Sequence, residues 1–168
     1  MERRDFEVMP HIPRDVEQMS SELRQTLRGL LCGELNWPLY LHGNAGTGKT
    51  CAGLCLVDRI DGAAYVTVER LIGWILDQDA SAWEWMGRAS LVVVDELGTR
   101  TRDSDLEYAA VKRIADIREH RRAVWISNHE PGKMETLYDD RIYNRICTGT
   151  LHRIEGETRR SGFRRRVR

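Results

Sequence analysis

Apolar residues recur along the chain in two periods, and the two alternate. From Asp15 to Leu31 they fall at Val16, Met19, Leu23, Leu27, Leu30 and Leu31, the stripe of an amphipathic helix that Gly33 ends. Pro38-Leu39-Tyr40-Leu41-His42 is a short run dense enough for a buried strand, and Cys51 to Arg59 after it reads as a helix. Ala63 to Thr67 predicts a second strand, Val68 to Asp77 a helix, and Ser81 to Arg88 a short helix with two tryptophans. Leu91-Val92-Val93-Val94 is β-branched and buried in character. Ser104 to His120 places Leu106, Ala110, Ile114 and Ile117 on one helical face. Ala123 to Ile126 predicts another strand, Met134 to Ile146 one helix, and Thr150 to Ile154 a last strand. Five strands alternating with helices imply a parallel sheet covered on both faces, with any ligand at the carboxyl ends of the strands.

The connection between the first strand and its helix carries the chemistry. Residues 43 to 50 read Gly-Asn-Ala-Gly-Thr-Gly-Lys-Thr, a complete phosphate loop of the pattern G-x-x-x-x-G-K-S/T. Its glycines let successive N–H groups of Gly43, Asn44, Ala45, Gly46, Thr47 and Gly48 turn inward on phosphate oxygens. Lys49 supplies a point charge to the β- and γ-phosphates, and Thr50 a hydroxyl to Mg²⁺. Cys51 completes the nucleotide-binding stretch, where the helix N-terminus adds its positive dipole end. Strand, loop and helix in this order predict a binder of nucleoside triphosphate.

Hydrolysis needs more than binding. The strand Leu91–Val94 ends in Asp95-Glu96. A carboxylate at the tip of a strand beside the loop holds the Mg²⁺ water shell, the part expected of Asp95. Glu96 next to it is placed to polarise an attacking water. The following strand ends Ser127-Asn128, bringing an amide to the same sheet edge, where Asn128 can reach both a γ-phosphate oxygen and the lytic water. Arg141 and Arg145 lie four apart on one helical face. Either suits a finger reaching a neighbouring subunit's γ-phosphate, and a surface ion pair with Asp139 or Asp140 explains them equally well.

Composition changes the picture at one end. The 168 residues carry no formal net charge, yet Leu151 to Arg168 holds seven arginines against two glutamates. Its final run, with Arg164, Arg165, Arg166 and Arg168 around Phe163, suits phosphate-backbone contact and base stacking, or else a solubilising tail. No apolar run reaches membrane-spanning length, and the start lacks the apolar core of a signal peptide. Four cysteines (32, 51, 55 and 147) form neither a C-x-x-C pair nor a zinc-like group, which suits reduced thiols in the cytoplasm. Trp74, Trp83 and Trp85 read as core rather than as a stacking platform. The division expected is a helical segment over 1–36, an ATPase core over 37–160 and a basic tail over 161–168.

Together these motifs resemble the AAA+ ATPases of the DnaC-type helicase loaders and IstB-type transposition helpers, over roughly Leu30 to Arg160. The resemblance is carried by Leu41 to Thr50, Leu91 to Gly98, Arg118, Ile126-Ser127-Asn128, Arg141 to Ile146 and Gly156 to Arg160. It implies an AAA+ fold of the P-loop class without a helical lid, ATP and Mg²⁺ as ligands, and Asp95 and Glu96 as Walker B residues. It also implies Asn128 as sensor 1, Arg145 as the finger acting in trans, and Arg160 near the family's terminal arginine. Homo-oligomers on single-stranded or duplex DNA, acting on a replicative helicase or a transposase, follow from the same resemblance. Only about thirty-five residues precede the first strand, where the family usually carries a partner-binding domain. A small P-loop kinase and a nucleotide-gated adaptor with little turnover are the competing classes; the apolar, tryptophan-rich stretch after the second strand and the paired Asp95-Glu96 favour water as acceptor over a kinase substrate.

Overall fold

The computed structural model describes residues 19–99 and 104–155. The basic run from 159 to 168, Val16 and Arg160 lie outside the described residues. Helices α1 (Ser21–Cys32), α2 (Lys49–Arg59), α3 (Val68–Leu76), α4 (Ala80–Arg88), α5 (Ser104–Ile117), α6 (Pro131–Leu137) and α7 (Asp140–Cys147) alternate with five strands. These are β1 (Leu39–Gly43), β2 (Ala64–Thr67), β3 (Val92–Leu97), β4 (Ala123–Ser127) and β5 (Thr150–Ile154). The sheet order is β2-β3-β4-β1-β5, with every pair parallel. β4 therefore lies between the strand that leads into the phosphate loop and the strand that ends in the acidic pair.

Alternation along the strands splits the core into two layers. Leu39, Leu41, Val93, Val124 and Ile126 face α1 and α2, while Tyr40, Val92, Val94 and Trp125 face the layer built from α3 to α7. All nine are at most 1% exposed, as both faces of a covered parallel sheet require. The α2 layer approaches closely: a Cβ on Gly53 would lie 2.8 Å from the Val93 side chain.

Local signals set most of the boundaries. Ser20 caps α1 through Leu23 N, Thr67 caps α3 through Arg70 N, and Asp79 caps α4 through Ala82 N. Gly33 ends α1 in the left-handed conformation. Trp74 and Trp83 are buried and meet edge to face at 5.9 Å, and Arg113 lies 4.4 Å over the Trp83 ring. Arg118 is also buried, with its guanidinium donating to the carbonyls of Met86, Ala89 and Arg122. Burial, with Arg121 nearby, lowers its pKa to about 10, so it keeps its charge at neutral pH and closes the carbonyl end of α4.

The chain departs from its pattern in two places. The single helix expected from Met134 to Ile146 is broken into α6 and α7 at Tyr138-Asp139. Asp139 is extended and its carboxylate caps α7 through Ile142 N at 2.7 Å, while its other oxygen accepts from the Tyr108 hydroxyl at 2.6 Å. β3 also runs past the acidic pair to Leu97. Its register with β4 shifts between Val94 and Leu97, a bulge that turns Glu96 outward and returns Leu97 to the core.

Candidate functional site

β1, β3 and β4 deliver three segments to one edge of the sheet: the loop 43–50, the pair Asp95-Glu96, and Ser127-Asn128. The first glycine of the loop is required by its neighbour strand. Gly43 has φ +145°, and a Cβ there would sit 2.3 Å from the Ile154 carbonyl oxygen of β5. Within the loop, Thr47 Oγ1 donates to Asn44 O at 2.9 Å. The Lys49 ammonium, on a side chain only 6% exposed, donates to Gly43 O at 2.8 Å and Asn44 O at 2.7 Å. The expected phosphate charge thus sits inside the loop.

Thr50 and Asp95 meet directly, with Thr50 Oγ1 donating to Asp95 Oδ2 at 2.7 Å. The same oxygen accepts from the Tyr65 hydroxyl at 2.9 Å, and Oδ1 accepts from the backbone N–H of Glu96 at 2.7 Å. Asp95 is buried and its carboxylate is held by three donors. Burial, then the Asp95 charge beside it, pushes the Tyr65 phenol well above its ordinary range, so it remains a donor. Tyr65 had no sequence signal of its own, because a strand tyrosine facing α2 reads as ordinary core.

Glu96 has φ +65°, left-handed backbone that costs a non-glycine residue about 1–2 kcal/mol. Its side chain is exposed at the sheet edge, as is that of Asn128. Desolvation of the Glu96 carboxyl, then the nearby Asp95 and Glu69 carboxylates, raises its pKa above the ordinary 4.5. That is the direction a general base needs.

Beside the loop, His42 is buried with Nδ1 3.4 Å from Glu130 Oε2, and Arg153 of β5 lies 3.3 Å from the other oxygen of Glu130. Burial lowers the His42 pKa, helped by Arg153 and Lys49 and opposed by Glu130, so the ring is neutral at pH 7.

Arg145 on α7 is 15% exposed and paired within the chain, to Asp116 Oδ1 at 3.4 Å and Glu119 Oε2 at 3.2 Å. Both acids lie in or just beyond α5; the expected alternatives Asp139 and Asp140 are not among its partners, and Asp139 is taken by the α7 cap and Tyr108. Arg141, one turn earlier, is exposed.

A five-stranded parallel sheet in this order, with a phosphate loop between β1 and α2 and an acid at the end of β3, one strand removed, defines a P-loop fold of the AAA+ kind. Among solved structures the chain is similar to the DnaC helicase loader, at 18% identity and a TM-score of 0.68 over 86% of this chain and 94% of that one. It is similar to DnaI at 18% identity and a TM-score of 0.62, covering 89% of this chain and 95% of that one. A replication initiator, DnaA bound to AMPPCP and single-stranded DNA, matches at 18% identity and a TM-score of 0.63 over 80% of this chain. Here the chain spans 44% of the initiator's length. No family model and no curated protein matches the sequence. The fold is therefore that of DnaC- and DnaI-type AAA+ proteins.

Proposed function

We propose that this chain binds ATP with Mg²⁺ at residues 43–51 and hydrolyses it, using the energy to act on a replicative helicase on DNA. The observation that carries the reading is the Thr50–Asp95 hydrogen bond, which brings the loop helix and the acidic strand to one point. A hydroxyl backed by a buried carboxylate is the donor set a hard cation takes, and the space beside Gly48, where a Cβ would meet nothing within 4 Å, leaves room for phosphate oxygens. Mg²⁺ would offset phosphate charge as the reaction proceeds. Thr50 and Asp95 would hold it, Lys49 would neutralise the β- and γ-phosphates, Glu96 would take a proton from the attacking water, and Asn128 would orient that water.

The partners belong to the same proposal. The likeness to DnaC and DnaI supports helicase loading, and DnaA bound to single-stranded DNA supports a nucleic-acid track. Arg145, or Arg141 beside it, would complete a neighbouring subunit's site in a homo-oligomer. Arg164, Arg165, Arg166 and Arg168 would contact DNA phosphates. A transposase partner is the second reading on the protein side. Cys32, Cys51, Cys55 and Cys147, none in a disulfide, agree with a cytoplasmic setting, and among the described residues no helix is long and apolar enough to cross a membrane.

The test is ATP binding and phosphate release, with and without single-stranded DNA, in wild type, Lys49→Ala and Glu96→Gln. The reading expects Lys49→Ala to weaken ATP binding at least several-fold, and Glu96→Gln to bind ATP while turnover falls about a hundredfold. ATP affinity unchanged in folded Lys49→Ala overturns the site. ATP binding without release in wild type leaves the adaptor, and phosphorylated small molecules in a substrate screen would establish the kinase.

A further inference from the structure

The turn that carries Glu96 is held by side chains from three other elements. Leu97 is fully buried, and Glu96 and Gly98 on either side are both left-handed, at φ +65° and +72°. Glu96 O accepts from Thr99 Oγ1 at 2.9 Å, and Leu97 O from Ser127 Oγ at 2.9 Å. Gly98 N donates to the Tyr138 hydroxyl oxygen at 3.0 Å and to Glu107 Oε1 at 3.2 Å. Gly98 O bonds His129 Nε2 at 3.0 Å, and since a carbonyl only accepts, Nε2 carries the proton. Strained backbone persists where surrounding contacts over-determine it, and here they do.

Glu107 is buried, 4% exposed, and its Oε1 also accepts from the Tyr138 hydroxyl at 2.5 Å. Tyr138 closes α6, and Asp139, which opens α7, is held in turn by Tyr108. Consecutive residues of α5 therefore grip consecutive residues of the α6–α7 corner. Further along, Asp116 of α5 and Glu119 just beyond it pair with Arg145. α5 thus meets the Glu96 turn through Glu107 in its first half and Arg145 through Asp116 at its end.

We infer that Glu107 and Tyr138 are positioning residues for hydrolysis: they fix the turn that aims Glu96 and couple it to the α6–α7 hairpin. The inference rests on the ATPase reading above. The hydrogen bonds of both side chains run to Gly98 and to each other, on the β3 side of the site, so removing them should leave ATP binding in place. Misaiming a general base by about an ångström costs on the order of a hundredfold in rate. Partial loosening of one anchor of several should cost about tenfold.

The experiment measures kcat, KM and ATP Kd in the full chain for wild type, Tyr138→Phe, Glu107→Ala and Glu107→Gln, with amide exchange at Gly98. Tyr138→Phe keeps the ring and removes the shared hydroxyl; Glu107→Gln keeps an acceptor at Oε1. The expectation is a kcat loss of about tenfold or more in Tyr138→Phe and Glu107→Ala, ATP Kd within about twofold of wild type, faster Gly98 exchange, and substantial recovery in Glu107→Gln. Wild-type kcat in folded Tyr138→Phe overturns the inference, as does a parallel loss of ATP binding, the mark of a merely structural role. Should Glu107→Ala fail to fold, Tyr138→Phe and Glu107→Gln decide the matter alone. An inactive wild type would instead overturn the ATPase reading on which the inference stands.

Discussion

Thr50 on α2 and Asp95 on β3 stand 45 residues apart in the chain and share a 2.7 Å hydrogen bond. β4 is inserted between β1 and β3, so the contact crosses the sheet edge rather than linking adjacent strands. The α2 layer must lie low on the sheet for Thr50 to reach, which the close packing of Gly53 on Val93 permits. Tyr65 completes the arrangement from the outer strand β2.

Tyr65→Phe should loosen Asp95 without disturbing the loop. The hydrogen bond it removes runs to a buried carboxylate, so folding stability should fall by about 1.5–3 kcal/mol in urea unfolding. The Mg²⁺ concentration giving half-maximal turnover should rise several-fold, with kcat at saturating Mg²⁺ little changed. An unaltered Mg²⁺ titration would assign Tyr65 to the core alone.

Glu96 predicts a pH dependence of definite sign. Its pKa is raised in the fold, so its stabilising contribution is present at low pH and fades as pH climbs from 4.5 through the raised value. Above that window the ionised carboxylate, desolvated and close to Asp95 and Glu69, weighs against the fold. Glu96→Gln should melt slightly above wild type at neutral pH, and the difference should vanish near pH 4. The acid limb of wild-type turnover should lie above pH 4.5, since the base must be ionised. A melting difference independent of pH would remove the electrostatic explanation.

The strands and the loop were legible because their signals are local. Leu91–Val94 is a buried run, and 43–50 is a motif that needs only backbone and a lysine. Less legible were features set by contacts distant in sequence. The break at Tyr138-Asp139 depends on Glu107 and Tyr108 thirty-one positions away, and no periodicity within 134–146 reveals it. The continuation of β3 to Leu97 hides behind two acids that read as a turn, though the apolar Leu97 after them was a clue. Tyr65 and Glu107 went unmarked because a strand tyrosine and a helical glutamate are each commonplace until their partners are known.

Ending the chain after Arg160 should leave nucleotide binding intact and weaken binding to DNA. Four arginines are removed, and each DNA phosphate left without its arginine should reduce the slope of log affinity against log salt by roughly 0.7 to 0.9. Equal slopes in full-length and shortened proteins would make the basic run a passive solubiliser.

Arg145 poses the sharpest question, because its pairing within the chain competes with a role in trans. The ion pairs with Asp116 and Glu119 join partly exposed acids, and exposed pairs contribute only about 0–1 kcal/mol. A neighbour's γ-phosphate, carrying more charge in a drier site, can therefore draw the guanidinium away, and Arg145→Ala should fold. A finger of this kind contributes about a thousandfold or more to turnover. Mixing Glu96→Gln with Arg145→Ala distinguishes the cases, since each protein alone should be inactive. With a finger in trans, an Arg145→Ala subunit keeps its own Glu96 and borrows its neighbour's arginine, so mixed assemblies should recover measurable phosphate release. Co-assembled mixtures that stay inactive would make Arg145 a strut between α7 and the end of α5, and the exposed Arg141 one turn earlier would become the residue to test in the same way.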